Sequence, residues 1–181
     1  MITITSGSYK GRTIVRPETD LTRPVSEQTR HAIFQVLGDI EGLTVLDIFA
    51  GSGALGFEAM SLGAKQCTFV DSSAKAFKAI STTIKILKLD DRAILKKDKA
   101  SDFLKNNKSK FNLIFLDPPY SDFNIEILPT LIPNLANGGI IIASCSSDTD
   151  LEVTPSELEL VKIKKYGDTQ IGFFRKKTNT V

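Results

Sequence analysis

Asp117-Pro118-Pro119-Tyr120 is the stretch of this chain whose residue types and spacing point most directly to chemistry. Two adjacent prolines fix two φ angles and remove two backbone N–H donors, and a residue before proline is driven into extended geometry. The resulting stiff loop can hold the Asp117 carboxylate, bare backbone carbonyls and the Tyr120 ring in one cluster. Such a cluster suits a planar amino group, because the oxygens accept its hydrogens and the ring stacks on the base that carries it. The apolar run Phe111-Asn112-Leu113-Ile114-Phe115-Leu116 before the loop reads as a buried strand.

A second stretch, Leu46-Asp47-Ile48-Phe49-Ala50-Gly51-Ser52-Gly53-Ala54-Leu55-Gly56, lies upstream. Its Gly51-x-Gly53-x-x-Gly56 spacing after a strand is shared with dinucleotide sites and is a weak signal by itself. Asp47 shifts the balance, since a carboxylate at the end of that strand would repel a diphosphate and attract a cation. S-adenosylmethionine combines a nucleoside with a sulfonium and an ammonium group and has no phosphate, so it is the expected ligand in preference to NAD. Asp71, about 20 residues past the glycine turn, stands where an acid accepts from ribose hydroxyls. Asp98 could accept from the adenine amino group, and Asp47 would lie near a charged group of the donor. Phe49 and Ser52 in the turn, Ser72 beside Asp71 and Lys99 beside Asp98 complete the candidate donor-binding set with Gly51 and Gly53.

Alternating elements must position these residues. Ser26 can cap a helix that ends near Gly38. Strands are expected at 43–49, 67–70, 93–96, 111–116 and 139–145, and helices at 54–62, 74–87, 100–106 and 125–135, the last interrupted by Pro129 and Pro133. Residues 158–166 and 169–176 alternate apolar and polar around Gly167-Asp168, which marks an antiparallel hairpin. Strand–helix alternation implies a doubly wound, mostly parallel α/β sheet. Ligands of such sheets sit at the carboxyl ends of the strands, where Asp47, Asp71, Asp98 and Asp117 all fall. Residues 3–24 are turn-rich, with Gly7, Gly11, Pro17 and Pro24 as punctuation.

The 181 residues suffice for one folded unit with a substantial core. No apolar run approaches a membrane span and the N-terminus has no secretory layout. Cys67 and Cys145 are expected as buried free thiols, which fits a reducing cytoplasm, and no metal-ligating pattern is present. The net charge of +2 is unevenly spread. Lys10, Arg12, Arg16, Arg23 and Arg30 outnumber Glu18, Asp20 and Glu27 at one end. Lys162, Lys164, Lys165, Arg175, Lys176 and Lys177 face only Asp168 at the other. Basic ends around an acidic centre suggest a polyanion held by the termini.

The chain resembles the RsmD-type bacterial 16S rRNA guanine-N2 methyltransferases over nearly its whole length. The matching residues are Gly7-x-x-x-Gly11-Arg12, Arg23-Pro24, Arg30-x-Ala32-x-Phe34, the glycine turn, Leu116-Asp117-Pro118-Pro119-Tyr120 and Tyr166-Gly167-Asp168-Thr169. The resemblance implies a class I, Rossmann-like methyltransferase fold at 26–181, with an N-terminal β-hairpin extension at 1–25 that contacts RNA through Lys10, Arg12, Arg23 and Arg30. It implies a monomer that uses S-adenosylmethionine to methylate N2 of a guanine in 16S rRNA of the 30S subunit or its assembly intermediate. Asp117, Pro118, Pro119 and Tyr120 would meet the target base. Asp71, Thr83 and Ser144 depart from the glutamate, asparagine and glutamate usual in the family. Alternative targets are adenine N6, cytosine N4 or a protein glutamine, and a noncatalytic ribosome-assembly factor is the rival of another class.

Overall fold

In the computed structural model, which describes residues 2–18, 25–119, 123–152 and 155–177, a seven-stranded sheet forms the centre of the molecule. A two-stranded antiparallel hairpin, β1 (Ile2–Thr3) and β2 (Thr13–Ile14), precedes helix α1 (Glu27–Leu37). There follow β3 (Thr44–Ile48), α2 (Ala54–Ser61), β4 (Gln66–Asp71), α3 (Ala74–Leu87), β5 (Ala93–Lys97), α4 (Ala100–Asn106) and β6 (Phe111–Leu116). The chain ends with α5 (Ile127–Leu131), β7 (Leu135–Ser146), β8 (Leu158–Tyr166) and β9 (Thr169–Lys176). The strand order is β5-β4-β3-β6-β7-β9-β8, parallel from β5 to β7, with β9 antiparallel to both neighbours. From β3 the chain winds outward to β5, then returns to β6. The sheet therefore reverses its winding between β3 and β6, and a crevice opens at that switch point.

Strict alternation along the strands sorts side chains into two layers. Val45, Phe69, Phe115, Ile142, Ile171 and Phe173 pack on one face with residues of α1, α2, α3 and the N-terminal hairpin. Leu46, Ile48, Ile114, Leu116, Ile141 and Phe174 pack on the other with α4 and α5. Phe34 of α1 meets Phe115 of β6 edge-on at 5.7 Å between ring centroids, which seats α1 over the middle of the sheet. Ser26 caps α1 by accepting from the Thr29 N–H, as the sequence predicts.

The expected helix at 125–135 is shorter. Pro129 falls in the first turn of α5, where its missing N–H is no loss. Pro133 cannot donate back to the Pro129 carbonyl, so the chain tightens into a 3₁₀ turn over Ile132–Asn134. β7 begins earlier than expected, and its pairing with β6 shifts between Phe111 and Leu113.

Residues 2–15 share the core of the main body. Ile2, Ile4 and Ile14 are buried in the first layer. Arg30 and Glu58, each with a side chain 1% exposed, approach to 3.6 Å beneath them. Arg30 donates to the carbonyls of Thr3 (2.7 Å) and Val25 (2.9 Å), and Glu58 accepts from the N–H groups of Thr5 and Ser6. This corrects the expectation for Arg30: its guanidinium is consumed inside the fold and presents nothing to RNA. Thr83 is also structural, accepting from the Val15 N–H at 3.1 Å and so tying the hairpin's return to α3.

Removing one partner of a buried pair strands the other charge, which costs about 3–5 kcal/mol. Glu58→Ala is expected to lose that much unfolding free energy in urea titrations. Glu27→Ala, on the exposed first turn of α1, should change it by less than about 1 kcal/mol.

Candidate active site

The crevice is lined at its floor by acids that share one face. Val45 and Phe115 point toward α1–α3, so alternation sends Asp47 and Asp117 the same way; Phe69 does the same for Asp71. Asp47 is buried, and its Oδ2 accepts from the Gly56 N–H at 3.0 Å. That bond needs α2 to lie very close to the sheet. A side chain at position 56 would sit 2.3 Å from Phe69 Cε1 and 2.8 Å from Cys67 Sγ, so only glycine permits it.

The turn between β3 and α2 is held from beneath. Phe49 adopts φ 64°, rare for a residue of its bulk, and Gly53 takes φ 75° at the start of α2. Ala50 N–H donates to the Val70 carbonyl (3.1 Å) and Gly51 N–H to Asp71 Oδ2 (2.8 Å). A side-chain carbon at Gly51 would meet nothing within 4 Å, so this backbone stands bare before the crevice. Asp71 Oδ1 accepts from Ser73 N–H at 2.8 Å, and Ser73 in turn caps α3. Asp71 thus braces the turn while its remaining lone pairs face outward. Its shorter reach compared with glutamate suits this bracing, which places the carboxylate directly beneath Gly51. Asp98 N–H donates to the Asp71 carbonyl (3.2 Å), and Asp98 Oδ1 accepts from Lys99 N–H (2.9 Å). Ser52 is buried; Ser72 and the Lys99 side chain are exposed.

Asp117 follows β6 directly and is half-buried; Pro118 is buried and Pro119 exposed. Burial pushes its carboxyl up to about 6, and a hydrogen bond with the Ser144 side chain pulls in the other direction. Ser144 lies on β7 one residue beyond the Leu116–Ala143 pair, and so stands beside Asp117 on the same face. Asp47 is also driven well above the usual carboxylate range, first by burial and further by the charges of Asp117 and Asp71, against the Gly56 bond. Asp71 and Asp117 thus both act on Asp47, which stands between them in the sheet. Among the described residues the sole ion pair is Arg30–Glu58, so none of these aspartates is ion-paired there, and no cluster able to hold a metal ion occurs. Cys67 and Cys145 are buried free thiols, both pushed up by burial and therefore protonated and inert.

Tyr120 and Arg23 lie outside the described residues. Lys10 and Arg12 are exposed, yet their turn packs on Ser61, the last residue of α2, through Ser8 and Tyr9. Tyr9 also accepts from Arg92, just ahead of β5. That is the amino edge of the sheet, opposite the aspartates. Sequence reasoning missed Ser73, and it marked Ser144 only as a departure from the family pattern, not as the partner of Asp117. The first carried a signal, a serine opening an apolar-periodic helix. The second required knowing that β6 and β7 are neighbours.

Deleting the hydroxyl that stabilises the Asp117 carboxylate should raise its proton affinity. In Ser144→Ala the Asp117 carboxyl titration, followed by carbon-13 NMR, is expected to move upward by about one pH unit, the worth of a hydrogen bond to a charged group. An unchanged midpoint would remove Ser144 from the site.

With this geometry in place, similarity to known proteins becomes informative. A family model described as "conserved hypothetical protein 95" matches residues 2–175. YlbH of Bacillus subtilis is 34% identical over 96% of this chain and 98% of its own. Ribosomal RNA small subunit methyltransferase D of Haemophilus influenzae is 30% identical over 92% of this chain and 89% of its own. The solved structure of yhhF from Escherichia coli superposes with a TM-score of 0.88 at 28% identity, covering 97% of this chain and 98% of that one. The chain belongs to the family of that model, the RsmD family of methyltransferases.

Proposed function

We propose that this methyltransferase transfers a methyl group from S-adenosylmethionine to the exocyclic N2 of a guanine in 16S rRNA of the small ribosomal subunit. The observation that carries the reading is Asp117. It is a half-exposed carboxylate across the switch point from the bare Gly51 backbone, in an acidic group that forms no ion pair among the described residues. An uncompensated negative crevice favours a cationic nucleoside over a diphosphate. The relative from Haemophilus influenzae, named a ribosomal RNA small subunit methyltransferase, supports the RNA target.

S-adenosylmethionine supplies an electrophilic methyl on a sulfonium. Asp47, Gly51, Asp71 and Asp98, with Phe49, Ser52, Gly53, Ser72 and Lys99 around them, would hold it at the β3–β4–β5 side of the crevice. The chain's own work lies in aligning the amine. A guanine amino nitrogen is a poor nucleophile because its lone pair is delocalised into the ring. Asp117 and the Pro118 carbonyl, each accepting one of its hydrogens, favour the pyramidal shape in which that lone pair is free. Pro119 stiffens the loop, and Tyr120 stacks on the extruded base. As the N–C bond forms, the methyl's S–C bond breaks and its electron pair stays on sulfur, leaving a neutral thioether, and the proton shed by nitrogen would pass to Asp117. Its raised proton affinity fits it for that transfer better than an ordinary aspartate.

Labelled methyl donor and small subunits from cells lacking this chain provide the test, with the modified base mapped by mass spectrometry. Label on guanine N2 is expected; label on adenine N6, cytosine N4 or a protein glutamine would replace the target. Asp117→Ala should lower turnover at least about a thousandfold while S-adenosylmethionine affinity stays within a few-fold. Only the ionised carboxylate can take up the amine's proton, so wild-type kcat/KM should fall as pH drops through about 6. A flat profile from pH 5 to 8 would contradict that role.

The same shift has a stability consequence. A carboxyl whose folded pKa is raised favours folding at low pH, and that contribution is lost as pH rises through about 6. Asp117→Asn should therefore melt a few degrees higher than wild type at pH 8, with the difference vanishing near pH 4.

A further inference from the structure

The outer strand β8 contains a phase slip that the alternation of its sequence conceals. Leu158 pairs with Lys176 and Leu160 with Phe174, but the next pair is Lys162 with Phe173, leaving Val161 as an extra, exposed residue. Without this bulge, Lys162 and Lys164 would share the face of Leu158 and Leu160 and be forced toward the second core layer. With it, Leu158, Leu160 and Ile163 stay on that layer. Lys162, Lys164 and Tyr166 turn instead to the face of Phe173 and Ile171. Bulges of this kind re-aim side chains, and they occur preferentially beside active sites.

The face they turn to is the one that carries Asp117. Ser144 pairs with Ile171, and Ile171 with Lys164, so a single row across three strands joins the Asp117-bonding serine to a lysine. At about 4.8 Å between strands, the backbone of Lys164 lies about 10 Å from that of Ser144. β8 runs parallel to β7, so Tyr166 stands at the carboxyl edge, level with Ser146. Lys162 is exposed and Lys164 half-buried, and neither forms an ion pair among the described residues. Lys10 and Arg12, in contrast, occupy the opposite edge.

We propose that Lys162 and Lys164, with Tyr166 at their end, form a docking strip for the ribose-phosphate backbone of the RNA beside the target base. The inference rests on the RNA reading above and extends it to a surface on the far side of the Asp117 loop from the donor. Uncommitted ammonium groups a nucleotide or two from the reacting amine would hold the strand while its base is extruded. The unpaired N–H groups of an edge strand add further donors. Lysines on edge strands also deter edge-to-edge aggregation, and that function predicts different behaviour.

The test compares wild type, Lys162→Gln/Lys164→Gln, and the charge-matched control Lys105→Gln/Lys108→Gln on exposed residues at and just past the end of α4, on the amino edge. Small subunits from cells lacking this chain are the RNA probe, S-adenosylmethionine affinity is measured by calorimetry, and aggregation by light scattering. In the strip variant, KM for subunits should rise about tenfold. The slope of log affinity against log salt should become shallower by roughly 1.4, at about 0.7 for each phosphate no longer neutralised. Its kcat and donor affinity should stay within twofold, and the control should match wild type. Equal losses in both variants, or aggregation with subunit affinity retained, would overturn the strip while leaving the proposed function intact. A wild type that binds S-adenosylmethionine yet methylates no small-subunit RNA would overturn the functional reading and the strip with it.

Discussion

The molecule is organised by a repulsion that it does not neutralise. Three aspartates from three adjacent strands point to one face at the carboxyl edge, and burial raises the free energy of the charges on Asp47 and Asp117. The fold tolerates this because each carboxylate also does local structural work. Asp47 receives Gly56 N–H and thereby fixes the start of α2 on the sheet; Asp71 receives Gly51 and Ser73 N–H and fixes the turn and the start of α3. Asp117 has Ser144. What remains is negative potential at a switch point, available to a ligand that brings the missing positive charge.

The N-terminal segment obeys the opposite rule, with charges buried and satisfied. Arg30 and Glu58 meet inside the fold, and their hydrogen bonds go to backbone groups of residues 3, 5, 6 and 25. The Arg30 Nε, the one buried side-chain polar atom without a hydrogen bond among the described residues, faces Glu58 at 3.6 Å and is held by charge alone. Such a pair adds less to stability than its Coulomb attraction suggests, because both ions give up water. Its bonds to residues 3, 5 and 6 tie the hairpin to α1 and α2. Hence the exposed turn with Lys10 and Arg12 is fixed at the amino edge, and basic groups at the carboxyl edge come from elsewhere: Lys97 and Lys99 on the β5 side, and β8 on the other.

Much of the architecture is legible in the chain. The helices at 74–87 and 100–106, the strand at 111–116 and the closing hairpin lie where periodicity and turn residues place them, because those signals are local. The helix expected at 125–135 is too long, since apolar spacing cannot report which carbonyl a proline leaves without a donor. Arg30 misleads for a related reason: a lone arginine in a basic segment looks like surface until its acidic partner, far along the chain, is placed beside it.

The sequence by itself determined the kinds of group at the ends of the strands, and with them the chemistry: acids, a glycine turn and a proline-stiffened loop. Only the tertiary structure decided which of these share a face and which neighbours tune them. Strand order, a bulge at Val161 and the contact of Ser144 with Asp117 depend on pairings between residues distant in the chain. One inserted residue reverses the facing of every side chain that follows it, and no local pattern records which partner strand will absorb the slip.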